Sequence, residues 1–357
     1  MFGKKLLSFA FALALCLTMT TALADTAITV CSNDEMTAAI TQIDAKDLGD
    51  VTIKLAAGTT LTGAFTVPQN SGTNVTVEGD GSSTTINGQL LIDGNSRSSG
   101  TETLTIKNIV FDATGVSDYV VGQSGRSSSI RYPHNVTIDG CKFSGSESTV
   151  CIKARSSFGN FTVKNCTAED MGSFFWGTGC AQLTFENNTV DTYSGITTGT
   201  SKNVNVTGNS FTVESYAVCI DLTASHTVNL SVTDNTIASE NPFVVRADGG
   251  TRPHSMNVTG NTYSLLYETQ ADQVVSYTKN ATADMITGED VAMSGEANTF
   301  LTEPVPEPEP EVKPEPEPEP EKVPVTGDNS HLFGWMLMLA ISAGALVLMG
   351  KRKAAER

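Results

Sequence analysis

The sequence predicts an all-β solenoid, in which the chain winds into stacked turns of short parallel strands. Two apolar residues flanking one polar residue recur eight times, with starting positions 21 to 32 residues apart, a spacing typical of repeat proteins. Apolar and polar residues alternate within each copy, so one side of a short strand faces a core. No segment between the copies has helical periodicity of useful length. The apolar pairs are Val75/Val77, Leu104/Ile106, Val136/Ile138, Phe161/Val163, Leu183/Phe185, Val204/Val206, Leu230/Val232 and Met256/Val258.

Two further columns follow each apolar pair. Asparagine at a corner tolerates left-handed backbone and can bond neighbouring main chain, and stacked copies can form a ladder. The first column therefore predicts a corner between strands; it reads Asp80, Ile109, Cys141, Cys166, Asn188, Asn209, Asn235 and Asn261. The second column, two residues later, predicts core positions; it reads Ser82, Phe111, Phe143, Ala168, Val190, Phe211, Ile237 and Tyr263.

This pattern resembles the right-handed parallel β-helix of the pectate-lyase-like kind, and the resemblance covers roughly Ile28 to Leu301. It implies a β-helix domain over residues 25–301, with functional groups on the outer surface of the sheets. The resemblance is specific for architecture and carries almost no information about activity.

The N-terminus predicts a secretory signal peptide over residues 1–24. Lys4 and Lys5 precede an apolar run, and small residues end the segment at Ala22-Leu23-Ala24. A lipoprotein signal at Cys16 is the alternative, but Leu15 stands where that pattern needs a small residue.

Both ends of a solenoid need covering. Met36 to Ile43 predicts a short amphipathic helix at the first end, with Ser32, Asn33 and Asp34 as possible N-caps. The phrase VTIKLAAGTTLTG from Val51 resembles the first rung of secreted β-helix proteins. We expect the distal cap between about Tyr277 and Leu301, where the repeat degrades.

Residues 302–322 predict a stalk. From Glu303 to Lys322 the chain holds eight glutamates and two lysines, a net charge of −6, alternating with proline. Such a segment cannot bury a core, and proline with like charges favours an extended, semi-rigid spacer.

The C-terminus, residues 323–357, resembles the LPxTG-type cell-wall sorting signal of Gram-positive bacteria. The pentapeptide Val323-Pro324-Val325-Thr326-Gly327 precedes an apolar stretch over 332–349 and the basic cluster Lys351-Arg352-Lys353. The resemblance implies that a sortase cleaves after Thr326 and joins it to peptidoglycan. The protein would then be secreted and wall-anchored, crossing the membrane only before sorting. Val323 stands where the family has leucine, which leaves the sortase class open.

Composition narrows the partners. The formal net charge is −17, so the folded part is acidic as well as the stalk, and we expect no nucleic-acid partner. No metal-ligand motif of recognisable spacing is present, and we expect neither a metal nor a cofactor. Six cysteines remain after the signal peptide. Cys141 and Cys166 share a column on successive rungs, where either a disulfide or two buried thiols would fit.

The outward column after the apolar pairs alternates in charge. It reads Glu78, Lys107, Asp139, Lys164, Glu186, Thr207, Thr233 and Thr259. Neighbouring rungs lie about 4.8 Å apart, so these charges offset one another. Asp139 and Glu186 are also at a separation that suits glycoside hydrolysis, but Lys164 between them would keep both ionised.

A second strand after each corner supplies the remaining candidates. Lys153, Asp221 and Arg246 are catalytic candidates for a lyase, and Trp176, Arg155 and Asp248 are ligand-binding candidates. A solvated face with salt bridges explains the same residues. The motifs of polygalacturonases and the aligned acidic calcium site of pectate lyases are not found in the sequence.

The hypothesis favoured by the sequence is an adhesin-like surface protein whose β-helix binds a glycan or a host surface. Alternatives are a polysaccharide lyase or glycoside hydrolase acting on an acidic polysaccharide, and a structural spacer. The expected partners are a sortase, peptidoglycan and a glycan or host-surface ligand.

Overall fold

The computed structural model describes residues 25–44, 49–68, 73–93, 102–124, 135–155, 159–199, 201–222, 228–247, 254–264, 275–279, 286–287 and 299–301. These residues contain one helix, α1 (Asn33–Asp44), and 24 strands. In chain order the strands are β1 (Thr26–Val30), β2 (Val51–Leu55), β3 (Thr60–Val67), β4 (Val75–Glu78), β5 (Thr85–Ile92), β6 (Thr103–Lys107), β7 (Val110–Asp112), β8 (Tyr119–Gln123), β9 (Asn135–Asp139), β10 (Lys142–Ser144), β11 (Ser146–Arg155), β12 (Asn160–Lys164), β13 (Thr167–Thr178), β14 (Gln182–Glu186), β15 (Thr189–Gly199), β16 (Asn203–Thr207), β17 (Ser210–Leu222), β18 (Asn229–Thr233), β19 (Thr236–Ala247), β20 (His254–Thr259), β21 (Thr262–Ser264), β22 (Val275–Lys279), β23 (Ile286–Thr287) and β24 (Thr299–Leu301).

The first sheet is parallel and regular, with strand order β1-β2-β4-β6-β9-β12-β14-β16-β18-β20-β23. From β2 to β20 each strand pairs with the next without a register shift. The eight predicted copies are the eight strands from β4 to β20 in this sheet, so the all-β, right-handed parallel β-helix is confirmed. Strand β1 adds one more strand to this sheet before the predicted first rung.

The second sheet has the order β10-β7-β5-β8-β11-β13-β15-β17-β19-β21-β24, with β3 beside β5 and β22 beside β19. Its long strands bend. The register shifts after Glu169 in β13, after Thr192 in β15 and after Val213 in β17. Connections back to the first sheet range from three residues (179–181) to eleven (124–134), which accounts for much of the irregular spacing of the repeat.

Buried asparagines stack at the corner between the sheets. Asn209 Nδ2 donates to the carbonyl oxygen of Phe185 at 3.0 Å and to Oδ1 of Asn235 at 2.9 Å. Its Oδ1 accepts from the backbone N–H and from Nδ2 of Asn188, at 2.9 and 2.8 Å. Asn235 bonds to Asn261 in the same way. The predicted asparagine ladder is confirmed, and each amide links three successive rungs.

The left-handed backbone of the corner lies one residue before the asparagine column. The asparagines of the column do not take this conformation themselves. Gly208 precedes Asn209 with a φ of 67°, and Asn187 precedes Asn188 with a φ of 55°. A Cβ atom on Gly208 would lie 2.6 Å from Oδ1 of Asn187, so a side chain at position 208 would collide with that amide.

Cysteine thiols continue this ladder. Cys166 Sγ lies 3.7 Å from the carbonyl oxygen of Ile138, and Asn188 Nδ2 makes the equivalent bond to Val163 at 3.0 Å. Burial raises the pKa of the Cys166 thiol well above its usual range, so the sulfur keeps its proton and can donate it. No disulfide joins cysteines of the described segments, so of the two alternatives for Cys141 and Cys166 the structure has buried thiols.

Helix α1 covers the first end of the β-helix and confirms the predicted cap. Ser32 is its N-cap, since its Oγ accepts from the backbone N–H of Glu35 at 3.3 Å. Met36, Ala39 and Ile43 are buried on one face of the helix.

The structure describes only part of the region where the distal cap is expected. Within the described residues of this region, β22 pairs with β19, β23 with β20 and β24 with β21. These short strands continue both sheets for another rung, and the rest of the expected cap lies outside the described residues. The degraded repeat still pairs because backbone bonds need no particular side chain.

The chain divides into two compact units, Met1–Val305 and Pro306–Arg357. The described core, from Val30 to Val275, lies in the first unit, so residues 25–305 contain all of it. The predicted signal peptide, stalk and sorting signal lie outside the described residues. In the segments that the structure describes, no helix is long and apolar enough to span a membrane.

Replacing Asn209 with alanine should destabilise the protein by about 3 kcal/mol, because it leaves buried donors and acceptors on two neighbouring rungs unpaired. The measurement is the free energy of unfolding in urea for residues 25–305. Asn203→Ala is the matched control on the same rung: Asn203 is exposed and accepts one bond from Asn229 at 3.0 Å, so its loss should cost less than about 1 kcal/mol. Equal losses would contradict the role given to the buried ladder.

Candidate functional site

An acidic groove lies along the bend of the second sheet and has a volume of about 280 Å³. Strands β11, β13, β15 and β17 each contribute to it. Among the described residues its lining includes four carboxylates and no lysine or arginine. The lining residues are Glu147, Asp170, Met171, Asp191, Thr192, Tyr193, Thr212, Val213 and Glu214. We call this surface the acidic groove.

The backbone at the bend leaves no room for larger side chains. A Cβ atom on Gly195 would lie 2.2 Å from the carbonyl oxygen of Ala217, and one on Gly172 would lie 2.6 Å from that of Glu147. Asp170 occupies the register shift of β13 with a φ of 52°, a conformation that costs free energy for a residue other than glycine. Close approach of the rungs and this left-handed residue together fix the shape of the groove.

Tyr193 stands at the edge of the acidic groove. Its side chain is 57 % exposed, and in the described part of the chain it is the one large hydrophobic side chain open to solvent. Its neighbours Thr192 and Ser194 are buried, so their packing holds in place the strand that carries the ring. A rigidly mounted aromatic ring beside a groove can stack on the apolar face of a sugar.

One carboxylate of the acidic groove, Asp191, differs from an ordinary aspartate. Partial burial raises the pKa of Asp191, and the nearby charge of Asp170 raises it further. Asp112, further along the same sheet, shows the opposite effect: the hydroxyl and backbone N–H of Thr114 hold its pKa below the usual value. Asp191 therefore takes up a proton more readily than an ordinary aspartate.

These features define what the acidic groove can bind. Carboxylates accept hydrogen bonds from hydroxyl or ammonium groups, and a groove without basic residues repels anions. The chemistry suits a neutral or positively charged sugar and does not suit the acidic polysaccharide expected for an enzyme.

The sequence-predicted candidates lie elsewhere on the second sheet, and two of them meet. Lys153 and Trp176 are paired neighbours on β11 and β13. The Lys153 ammonium is 5.6 Å from the ring centroid of Trp176 and 5.0 Å from that of Tyr119, and it forms an ion pair with Asp118. Lys153 is only 9 % exposed. Two aromatic rings and the Asp118 carboxylate therefore surround the Lys153 ammonium.

Asp221 and Arg246 do not converge with Lys153. Asp221 pairs with Arg246 on the next rung, and the Arg246 guanidinium lies 5.7 Å from the ring centroid of Tyr216. Asp221 on β17 is three strands from Lys153 on β11, roughly 14 Å by strand spacing. The backbone of Arg155 pairs with Thr178, and Asp248 lies outside the described residues, as do Val323 to Gly327.

The predicted alternation of charge along one column of the first sheet is confirmed. Lys164 lies between Asp139 and Glu186 in the ladder and its Nζ is 3.4 Å from Oδ2 of Asp139. In the segments described, no three histidine, cysteine or acidic side chains come together as a metal site.

The sequence patterns did not point to the acidic groove, although two acidic residues beside it align on neighbouring rungs. Glu169 and Asp191 are paired neighbours, each one residue after a core position. Tyr193 and Glu214 each lie three residues after a core position. Extending the outward columns beyond the core column would therefore have found both residues. The register shifts that bring Glu147 and Asp170 to the same groove have no sequence signal.

Residues 73–263, more than half of the chain, match the family model described as the right-handed beta helix region. This segment runs from just before β4 into β21 and includes the whole acidic groove. No curated protein matches the chain significantly.

Replacing Asp191 with asparagine should raise the melting temperature at neutral pH. The raised pKa means that the folded state binds the proton more tightly than the unfolded state, so this stabilisation is lost as pH rises above about 4 and through the folded pKa. The variant removes the costly charge, and its advantage should vanish near pH 3. Asp112→Asn is the control of opposite sign, with a lower melting temperature at pH 7 that converges on wild type in acid. Thermal unfolding from about pH 3 to 8 checks both.

Proposed function

Because the chain belongs to the family of right-handed β-helix regions, we propose that it is a surface-displayed carbohydrate-binding protein, adhesin-like in role, whose acidic groove holds the sugar. The observation that carries this proposal is the combination of an exposed aromatic ring, Tyr193, with a groove lined by carboxylates. Carbohydrate sites pair these two elements because sugar rings have apolar faces and hydroxyl edges.

The charge of the groove selects among glycans. Asp170, Asp191, Glu147 and Glu214 would accept hydrogen bonds from sugar hydroxyls, and an amino sugar would gain a charge-assisted bond. Uronic acids would meet four like charges. The proposed ligand is therefore a neutral or amino-sugar glycan of a host or neighbouring cell.

Display at the cell surface is supported by the order of segments in the sequence. A signal peptide, the β-helix, an acidic proline-rich stalk and the Val323 to Gly327 motif follow one another before an apolar stretch and a basic tail. A sortase would join Thr326 to peptidoglycan, and the stalk over 302–322 would hold the β-helix away from the wall.

A glycoside hydrolase is the second candidate, and the raised pKa of Asp191 beside Asp170 favours it. Such enzymes use a pair of carboxyl groups, one of which must hold a proton, and a raised pKa favours the protonated state. A lyase is less well supported, because Lys153 is covered by two rings and paired with Asp118.

Tyr193→Ala should reduce glycan retention about tenfold, because stacking on the ring is lost. The measurement is retention of residues 25–305 on immobilised neutral, amino-sugar and uronate polysaccharides. Tyr193→Phe keeps the ring and should bind within about twofold of wild type. Unchanged retention in Tyr193→Ala would exclude the acidic groove as the binding site.

The same incubations separate binding from catalysis. New reducing ends that disappear in Asp191→Asn and Asp170→Asn would make the protein a hydrolase. Retention without new ends identifies a binding module, and ultraviolet absorbance of unsaturated uronates would instead indicate a lyase.

Thr326→Ala should shift the protein from the peptidoglycan fraction to the membrane fraction of cells that carry the sortase. The reason is that sortase transfer needs the threonine carbonyl within its motif, while the apolar stretch at 332–349 remains uncleaved. Fractionation followed by immunoblotting checks this, with Thr302→Ala in the stalk as control. Wall attachment of Thr326→Ala would overturn the proposed anchor.

A further inference from the structure

The outward column at the ends of the first-sheet strands alternates strictly in charge over six rungs. The paired neighbours are Lys54 on β2, Glu78 on β4, Lys107 on β6, Asp139 on β9, Lys164 on β12 and Glu186 on β14. Because this sheet has no register shift between these strands, the charges form one straight row. We call it the charge column.

The two ends of the charge column, Lys54 and Glu186, are exposed to solvent. Glu78 bonds to both neighbours, Lys54 at 3.2 Å and Lys107 at 2.6 Å, and Lys164 bonds to Asp139 at 3.4 Å. Glu186 is exposed and forms no ion pair with any residue that the structure describes. The Lys54 side chain at the other end is 54 % exposed.

An even number of alternating charges is complementary to its own reverse. A two-fold axis parallel to the strands, passing between Lys107 and Asp139, reverses the order of rungs and keeps each position along the strand. Lys54 then faces Glu186 of the second copy, Glu78 faces Lys164, and Lys107 faces Asp139. We propose that the first-sheet face binds a second copy of this chain in an antiparallel, face-to-face dimer.

The charge column also selects against the other two-fold arrangement. An axis parallel to the β-helix and through the column would oppose each rung to itself, lysine against lysine and acid against acid, which is unfavourable. The charges therefore specify orientation as well as contact.

The adjacent column permits close approach because it is uncharged. It reads Thr52, Thr76, Thr105, Thr137, Thr162 and Thr184 over the same rungs. With strands about 4.8 Å apart and a rise of about 3.3 Å per residue, overlap of eight rungs covers roughly 600 Å² per copy, the lower end for specific interfaces. We expect a weak dimer that depends on charge.

This contact is independent of the acidic groove, which lies on the second sheet. It would add a homophilic contact to the proposed glycan binding. The C-terminal strands β20 and β21 lie towards one end of each copy, so an antiparallel pair directs these ends in opposite directions.

Charge reversal tests the proposal, with sedimentation equilibrium of residues 25–305 as the measurement. Lys54→Glu and Glu186→Lys should each weaken dimerisation at least about tenfold, since each opposes like charges in the dimer. The double variant restores opposite charges between copies and should return to within about threefold of wild type. It cannot restore pairing within one chain, because the two positions lie five strands apart, about 24 Å.

Lys142→Glu is the matched control, since Lys142 is exposed on the second sheet and its reversal should leave dimerisation unchanged. Circular dichroism verifies that each variant is folded. Raising NaCl from about 0.05 to 0.5 M should weaken the wild-type dimer as screening increases. A wild-type protein that stays monomeric up to about 0.2 mM would overturn the proposal, because even a weak specific dimer should form at that concentration. A double variant that dimerises no better than the single variants would also overturn it.

Discussion

Buried amide groups at the corner between the two sheets constrain the whole β-helix. Each amide of Asn188, Asn209 and Asn235 bonds to the rung before it and the rung after it. Leaving one such buried group unpaired costs more free energy than a single hydrogen bond contributes. Neighbouring rungs are therefore held in one register at the corner, and this register sets where the strands on either side of the corner begin.

The two sheets use that common reference in opposite ways. The first sheet keeps its register over nine consecutive strands, so side chains two residues apart form straight columns such as the charge column. The second sheet loses register at the bend, where Asp170 is left-handed and Gly195 lies close to Ala217. Regularity gives a face that can match another regular face, whereas irregularity gives a concave surface that can enclose a small ligand.

Periodicity predicted the first sheet well because the side chains of its strands alternate strictly and its corner residues bond in a fixed pattern. The position of Lys164 between two acids followed from counting alone. Counting was less informative on the second sheet, where the lyase candidates Lys153 and Asp221 lie three strands apart. Bulges change the phase of a strand through backbone contacts between rungs, and a single sequence does not encode them as a pattern.

The connections that return from the second sheet to the first range from three to eleven residues, yet the strands on either side stay paired. The length of these connections therefore does not affect the packing of the core. Because closing a longer surface loop costs little additional free energy, an ancestral chain could gain or lose residues there without refolding its sheets. The β-helix is in this sense a scaffold that tolerates insertion at every turn, so that surface properties can diverge between relatives faster than the fold does.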